Sequence, residues 1–415
     1  MKRISSQLPN YDSQYWLRLR EFDLNEMTNK MAAQSRIKNL RDDPIAAGHS
    51  VRFQSEIFRV DRYSLNAGSI RDSYTMTEGF LRSAMDVLQR IRELGVEGAN
   101  GTLDKTQLGY IGQEVDQLLA ELLTIGNAQD QNGNFLFSGL QSKTRPFRTE
   151  AGRIPGGSAD VVVSVDYLGN AGTNPVDIGD TAEAKINLPG NIAFWAQQHQ
   201  IYSTVEASNY QVQRDSVIRI DGAEISLTQG DTVNAVMAKI NDSNAPVRAR
   251  LDPVVNSLVI ESTRPHQIQA EDIGDSTVLQ DLGILARGSG RGPLNISQSA
   301  RVFGGSIFDV VMQLRDALFE GSTDKVGSSG LGGLEAAITS LAGTIADLGA
   351  KDNRVQAAES RLSWEKPELV SFDSKERDLD LAEAVTELKM LEYGHQAALA
   401  TAARVLTPTL LDFLR

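Results

Sequence analysis

Residues 108–125 read LGYIGQEVDQLLAELLTI, and this stretch decides the fold class. Leu108, Ile111, Val115, Leu118, Leu122 and Ile125 recur at steps of three and four, which puts them on one helix face as a coiled-coil type of seam. Upstream, a long helix is expected from Pro44 to about Val96, with Pro44 suited to the first turn and Asp42 or Asp43 to the cap. Gly98-Ala99-Asn100-Gly101 then turns the chain back, so the two helices run antiparallel. Far downstream the alternation returns in Leu334, Ile338, Leu341, Ile345 and Leu348, and Val355 and Leu362 extend it. A further stripe runs through Leu381, Val385, Leu388 and Leu391 to Ala398, Ala402 and Val405. One unbroken helix from Leu334 to Val405 would be on the order of 100 Å long at about 1.5 Å per residue. Pro367 predicts a kink or break in it, and Pro408 a disturbed final turn. Near the start, Leu17, Leu24, Met27 and Met31 form a shorter stripe. A stripe that short cannot hold a helix by itself, so the two ends pair with each other, with neighbouring copies, or both.

Between about 135 and 300 the chain is rich in Gly, Pro and Val and reads as strands and turns. The expected class is therefore α+β: long terminal helices forming a coiled coil and bundle around an inserted β-rich outer domain. Five segments follow: terminal coiled-coil pieces at 1–42 and 371–415, bundle halves at 43–145 and 303–370, and the insert at 146–302. Leu108 to Ile125 and Leu334 to Leu348 are the expected bundle core. Periodicity alone favours a plain globular bundle over a subunit of a polymer.

Composition narrows the function classes. At 415 residues the chain is long enough for roughly two to four domains. Lys and Arg total 41 against 54 Asp and Glu, a formal charge of −13, and no basic block offers itself to nucleic acid or an anionic membrane. The absence of cysteine excludes disulfides, thiolate metal sites and a Cys nucleophile. No run of about eighteen apolar residues predicts a membrane span. Met1-Lys2-Arg3 begins like a secretory leader, but Pro9, Asn10, Asp12 and Arg18 interrupt any apolar core, so the general secretory route is not expected.

No catalytic constellation emerges. The four histidines, His49, His199, His266 and His395, lack ligand spacing. Gly288-Ser289-Gly290-Arg291-Gly292 and Gly330-Leu331-Gly332-Gly333 lack the dinucleotide and phosphate-loop patterns and read as connectors. Asp130 to Asn134 places its glycine one position early for a calcium loop and reads as a turn. Asp42-Asp43 and Asp378/Asp380 are expected to cap helix starts. Neither a cofactor nor a metal is expected.

Arg36-Ile37 followed by Arg41-Asp42-Asp43-Pro44-Ile45-Ala46-Ala47 resembles the N-terminal signature of the flagellin superfamily, in the form seen in its hook-associated branch. Ala99-Asn100-Gly101-Thr102, Asn132 to Gly139 with Pro146-Phe147, and Phe308 to Leu318 resemble that branch as well. Asp380 to Leu388, closing on Leu411-Asp412-Phe413-Leu414, is similar to the family's terminal helix. Val217 to Gly222, Ala235 to Asn241 and Leu258 to Ser262 resemble its β–β–α–β–β motif.

The resemblance implies a structural, non-enzymatic part of the bacterial flagellum: a ring joining the hook, through hook-associated protein 1, to the flagellin filament. It further implies self-association, export by the flagellar type III apparatus with a dedicated chaperone, and a place on an external or periplasmic flagellum. Leu17, Leu24, Met27, Met31, Leu381, Val385, Leu388, Leu391, Leu399 and Leu406 become the expected assembly surface. A flagellin itself is the alternative.

Overall fold

The computed structural model describes residues 8–39, 41–155, 160–288 and 295–405. Helices α1 (Leu8–Ala33), α2 (Pro44–Gly98) and α3 (Lys105–Gly126) precede strands β1 (Phe147–Gly152), β2 (Val161–Tyr167), β3 (Pro175–Gly179) and β4 (Ala182–Lys185). The short α4 (Gly190–Ala193) leads to β5 (Gln200–Glu206), β6 (Ser216–Ile220), β7 (Ala223–Leu227), α5 (Val233–Asn241), β8 (Val247–Leu251), β9 (Ser257–Ser262) and β10 (Ala270–Ile273). After α6 (Val278–Asp281) and β11 (Ala300–Phe303) the chain returns to helix in α7 (Ile307–Glu320), α8 (Thr323–Lys325), α9 (Leu331–Arg377) and α10 (Leu381–Val405). The chain is α+β, with long helices at both ends and β structure in the middle. Its contacts divide it into two units, one of residues 66–359 and one of residues 1–65 with 360–415.

In the central unit, α3 starts at a reciprocal cap. Asp104 accepts from the Gln107 amide while the Gln107 side chain accepts from the Asp104 amide. Helix α7 starts the same way with Ser306 and Asp309, and ends at Gly321, whose φ of 81° is open to glycine at little cost. Helices α2, α3, α7 and α9 contribute to one apolar core that runs from Ala67 to Ala358 in sequence. Leu108, Val115, Leu122, Leu334, Leu341 and Leu348 are buried in it with Ile111 and Ile125, and Leu118, Ile338 and Ile345 line its margin. The fully buried residue beside Leu118 is Leu119. Arg315, also fully buried, donates to Asp116 at 2.7 Å and to the Val162 carbonyl at 2.8 Å, tying α7 to α3 and β2.

The middle of the chain is two structures. Phe147, Tyr167 and Phe194 join Phe137 and Phe308 in an aromatic cluster, with Phe147 and Phe308 ring centres 4.8 Å apart. Residues 147–196 thus belong to the bundle core. Gly126 permits this approach, because a Cβ there would lie about 3 Å from the Phe147 and Phe308 rings. Burial pushes the Tyr167 phenol up, and its hydroxyl donates to the Phe137 carbonyl at 2.9 Å. The sheets β10-β6-β7 and β11-β5-β9-β8 close over α5 around a second core from Ile201 to Leu285. Strands β6–β7, helix α5 and strands β8–β9 form the expected β–β–α–β–β unit.

The break expected at Pro367 falls elsewhere. Helix α9 runs unbroken through Pro367. Pro367 faces solvent, so water can satisfy the carbonyl left without its donor, while Leu362 and Leu369 on either side are buried against Val60. The C-terminal seam is also not one helix. It stops at Arg377 and restarts at Leu381, because the Asp380 carboxylate accepts from the amides of Ala382 and Glu383 and starts a new helix. Leu406 and Pro408 lie outside the described residues.

Leu341 is fully buried, so Leu341→Ala should lower the unfolding free energy by about 2–5 kcal/mol in denaturant titration. Thr339→Ala, two residues away on the exposed face, should change it by less than about 0.5 kcal/mol. Ser340 is no neutral control, since its hydroxyl donates to the Trp195 carbonyl at 2.8 Å.

Candidate functional site

The terminal unit is built around a joint where two helix interruptions meet. Helix α1 ends at Ala33, and Gln34 follows in the left-handed region at φ 51°. The break between α9 and α10 lies opposite. The Arg36 amide donates to the Arg377 carbonyl at 2.8 Å and the Leu379 amide to the Gln34 carbonyl at 3.2 Å. The Arg36 guanidinium donates to the Glu376 carbonyl at 2.7 Å and also meets the Asp43 carboxylate at 3.2 Å. It therefore places positive charge at the carbonyl end of α9. Asp43 caps α2 by accepting from the Ala46 amide at 3.0 Å, and that bond, then Arg36, hold its carboxyl below the usual range. Asp42 accepts from the amides of Lys38 and Asn39, which shapes the link and lowers its own carboxyl. The Arg-…-Asp-Asp-Pro signature is thus a mechanical staple, formed across more than 330 residues of sequence.

Beyond the joint, α1 and α10 pack against each other. Met27, Ala384 and Ala402 are buried there. Leu17, Leu24, Met31, Leu388 and Leu391 are half-buried on the same faces. Leu381, Val385 and Leu399 of the expected assembly set stay open, at 51%, 45% and 48% exposure.

Helix α1 carries a second apolar stripe. Tyr11, Tyr15, Leu19 and Phe22 recur at steps of four, four and three, roughly opposite Leu24 and Met27, and all four are exposed. On α10, Met390 and Tyr393 lie on the back of the helix, Tyr393 at 70% exposure. Phe58 and Trp364 are exposed on the parts of α2 and α9 that belong to this unit. Most of the exposed large apolar side chains among the described residues fall in this unit, which holds less than a third of the chain. The sequence offered the second stripe through its spacing, but the longer aliphatic stripe drew attention from it.

Nothing comparable gathers chemistry. Among the described residues no three His, Asp or Glu side chains are placed to hold a metal, and no helix is long and apolar enough to cross a membrane. A cleft of about 850 Å³ beside β6, β7 and β10 is lined mostly by polar groups, and its Arg219 is held by Glu224 and Glu271.

Comparison with known proteins follows the same division. Residues 4–142 match the bacterial flagellin N-terminal helical region, residues 331–414 the C-terminal helical region and residues 216–264 the flagellin hook IN motif. Together these cover well over half of the chain. Flagellar hook-associated protein 3 of Escherichia coli K12 is 28% identical over 137 residues, 33% of this chain and 43% of that protein. Flagellin FlaB1 of Treponema pallidum is 33% identical over 129 residues, 31% of this chain and 43% of that protein. The chain thus spans less than half the length of these two relatives. The crystal structure of flagellar hook-associated protein 3 from Legionella pneumophila superposes with a TM-score of 0.48 at 17% identity, covering 78% of this chain and 97% of that one.

The staple makes a local prediction. Arg36→Ala should speed amide hydrogen exchange at Arg36 and Leu379, and Asp43→Ala at the first turn of α2, with the α3 amides unchanged in both. Uniform acceleration along the chain would mean that the staple is no separate joint.

Proposed function

Since this chain belongs to the flagellin superfamily, we propose that it is a structural subunit of the bacterial flagellum, forming a ring between hook-associated protein 1 on the hook side and flagellin on the filament side. The observation that carries this reading is the concentration of exposed apolar side chains on the terminal helices. Apolar surface of that extent is a liability in a free monomer and becomes useful when neighbouring subunits cover it. The role is mechanical and calls for no cofactor.

The assembly surface we propose comprises Leu381, Val385 and Leu399 together with Tyr11, Tyr15, Leu19, Phe22, Met390 and Tyr393. Leu17, Leu24, Met27, Met31, Leu388 and Leu391 serve it indirectly, by holding α1 against α10 so that the outer faces are presented as one body. Before assembly these faces need cover, which a flagellar export chaperone would supply during passage through the type III apparatus. The net charge of −13 keeps the free chain soluble. In this reading the terminal pieces at 1–42 and 371–415 form one layer, and residues 147–196 go with the bundle halves rather than with the insert.

One observation favours a second reading, a flagellin proper: identity to the Treponema flagellin, 33%, exceeds the 28% to the Escherichia coli hook-associated protein. A flagellin would extend into long filaments on a seed of its own kind, whereas a junction protein would stop at a ring. Deleting the gene separates them. Loss of a junction protein leaves hooks and free flagellin in the medium, and loss of the flagellin leaves no flagellin to shed.

Two substitutions test the surface. Phe22→Asp sits on the outer face and should shift the unfolding free energy of the free chain by less than about 0.5 kcal/mol while abolishing attachment of filaments. Met27→Asp places an unpaired charge between α1 and α10, so it should release both helices to protease in the free chain as well. Normal filaments on Phe22→Asp cells would remove that face from the assembly surface.

A further inference from the structure

Two buried histidines sit where the β-rich insert leaves the bundle. The chain crosses from Phe194, Trp195 and Ala196 in the bundle core to Ile201 in the insert's core, and His199 lies on that crossing, almost wholly buried. The return crossing lies against it: the amides of Ala196 and Gln197 donate to the Gly305 carbonyl. Gly304, at φ 93°, approaches so closely that a Cβ would stand 2.3 Å from the Gln198 carbonyl oxygen. His266, equally buried, lies beside this neck and bridges to Gln198, while the adjacent Gln267 amide donates to the Asn191 carbonyl in α4.

Hydrogen bonds give the two rings different surroundings. His266 Nδ1 faces the Arg264 carbonyl at 2.9 Å and Nε2 faces the Asp221 carboxylate at 2.9 Å, so both of its ring nitrogens point at oxygen. His199 Nδ1 instead accepts from the Ile268 amide at 3.3 Å, which requires that nitrogen to be bare. The titratable and charged groups facing the pair are Asp221, from the β6–β7 turn, and Arg264, which presents its carbonyl. Trp195, Ser262 and Asn191, on the other elements packed there, are neutral.

We propose that His199 and His266 form a proton-operated latch: uptake of a proton by His199 breaks its bond to the Ile268 amide and frees the β-rich insert from the bundle while the bundle stays folded. Burial first, and the charge of His266 second, hold His199 to about 4, well below the ordinary imidazole value. The closed neck therefore refuses a proton that the open neck accepts. Opening is favoured as pH falls from the ordinary value toward 4, by roughly tenfold for each pH unit. The latch stands apart from the flagellar reading.

Amide hydrogen exchange of the full chain between pH 7 and pH 4.5, corrected for intrinsic rates, tests it. Exchange in peptides covering 196–200 and 262–269 should rise roughly tenfold per pH unit below the ordinary imidazole value, with α3 and α7 unchanged. In His199→Asn, whose amide oxygen can replace Nδ1 as acceptor but takes no proton, the neck should stay closed in acid. His49→Gln, at an exposed histidine, should keep the wild-type response. Acid opening that persists in His199→Asn, or a neck and bundle that open together, would overturn the latch. Should His199→Asn fail to fold, an imidazole NMR titration of the wild type decides. A His199 ring that protonates near its ordinary value while the neck stays protected would contradict the latch, and one that takes its proton only as the neck opens would support it.

Discussion

Two apolar seams separated by about two hundred residues, one on α3 and one on α9, must be gathered into one core, with α7 packed on α3, before the central bundle can be stable. Closing so long a loop costs about 5 kcal/mol in chain entropy. A buried Leu or Ile contributes about 1.5–3 kcal/mol, so Leu108, Val115, Leu122, Leu334 and Leu341 together outweigh that cost. The insert helps, because a segment with its own core between Ile201 and Leu285 shortens the effective loop once it folds. Arg315 sets the register. Its guanidinium finds partners on α3 and β2 from one place on α7, and a shifted helix would lose both and leave it only its neighbour Asp316.

The terminal unit solves a different problem. Helices α1 and α10 each have an inner face to hold them together and an outer apolar face exposed in the free chain. Their junction with α2 and α9 is made by side chains that satisfy helix ends: Arg36 on the last carbonyls of α9, Asp43 on the first amides of α2 and Asp380 on the first amides of α10. A joint of capping bonds has fixed geometry and little apolar burial, so it can be strong in direction and still open locally.

The heptad seams were legible because burial at a helix–helix contact demands a period near 3.5, and Leu108 to Ile125 and Leu334 to Leu348 obey it. With leucine at both 118 and 119 the pattern does not choose between them; Leu119 is fully buried and Leu118 lies at the core's margin. The break at 378–380 was hidden because Pro367 is the stronger local signal; its helix survives because buried Leu362 and Leu369 hold both sides. The extent of the insert was misjudged, since Phe147, Tyr167 and Phe194 lie in strand-like sequence yet pack on the bundle. For the candidate site, spacing revealed the faces of α1 and α10 but not which face each helix keeps for the other. The staple's residues were quoted as a signature, but their pairing with Glu376 and Arg377 could not be read from a local pattern. His199 and His266 lie far apart in sequence, and only the fold brings them to one neck.

The central claim is that the outer faces of α1 and α10 are open to water in the free chain and covered in the assembly. Because the chain has no cysteine, Tyr393→Cys supplies a single thiol on that face. Its rate of alkylation in the purified monomer and in intact flagella tests the claim directly. A thiol that reacts at the rate of an exposed cysteine in the monomer and is protected in flagella is the predicted result. Equal reactivity in both states would contradict it.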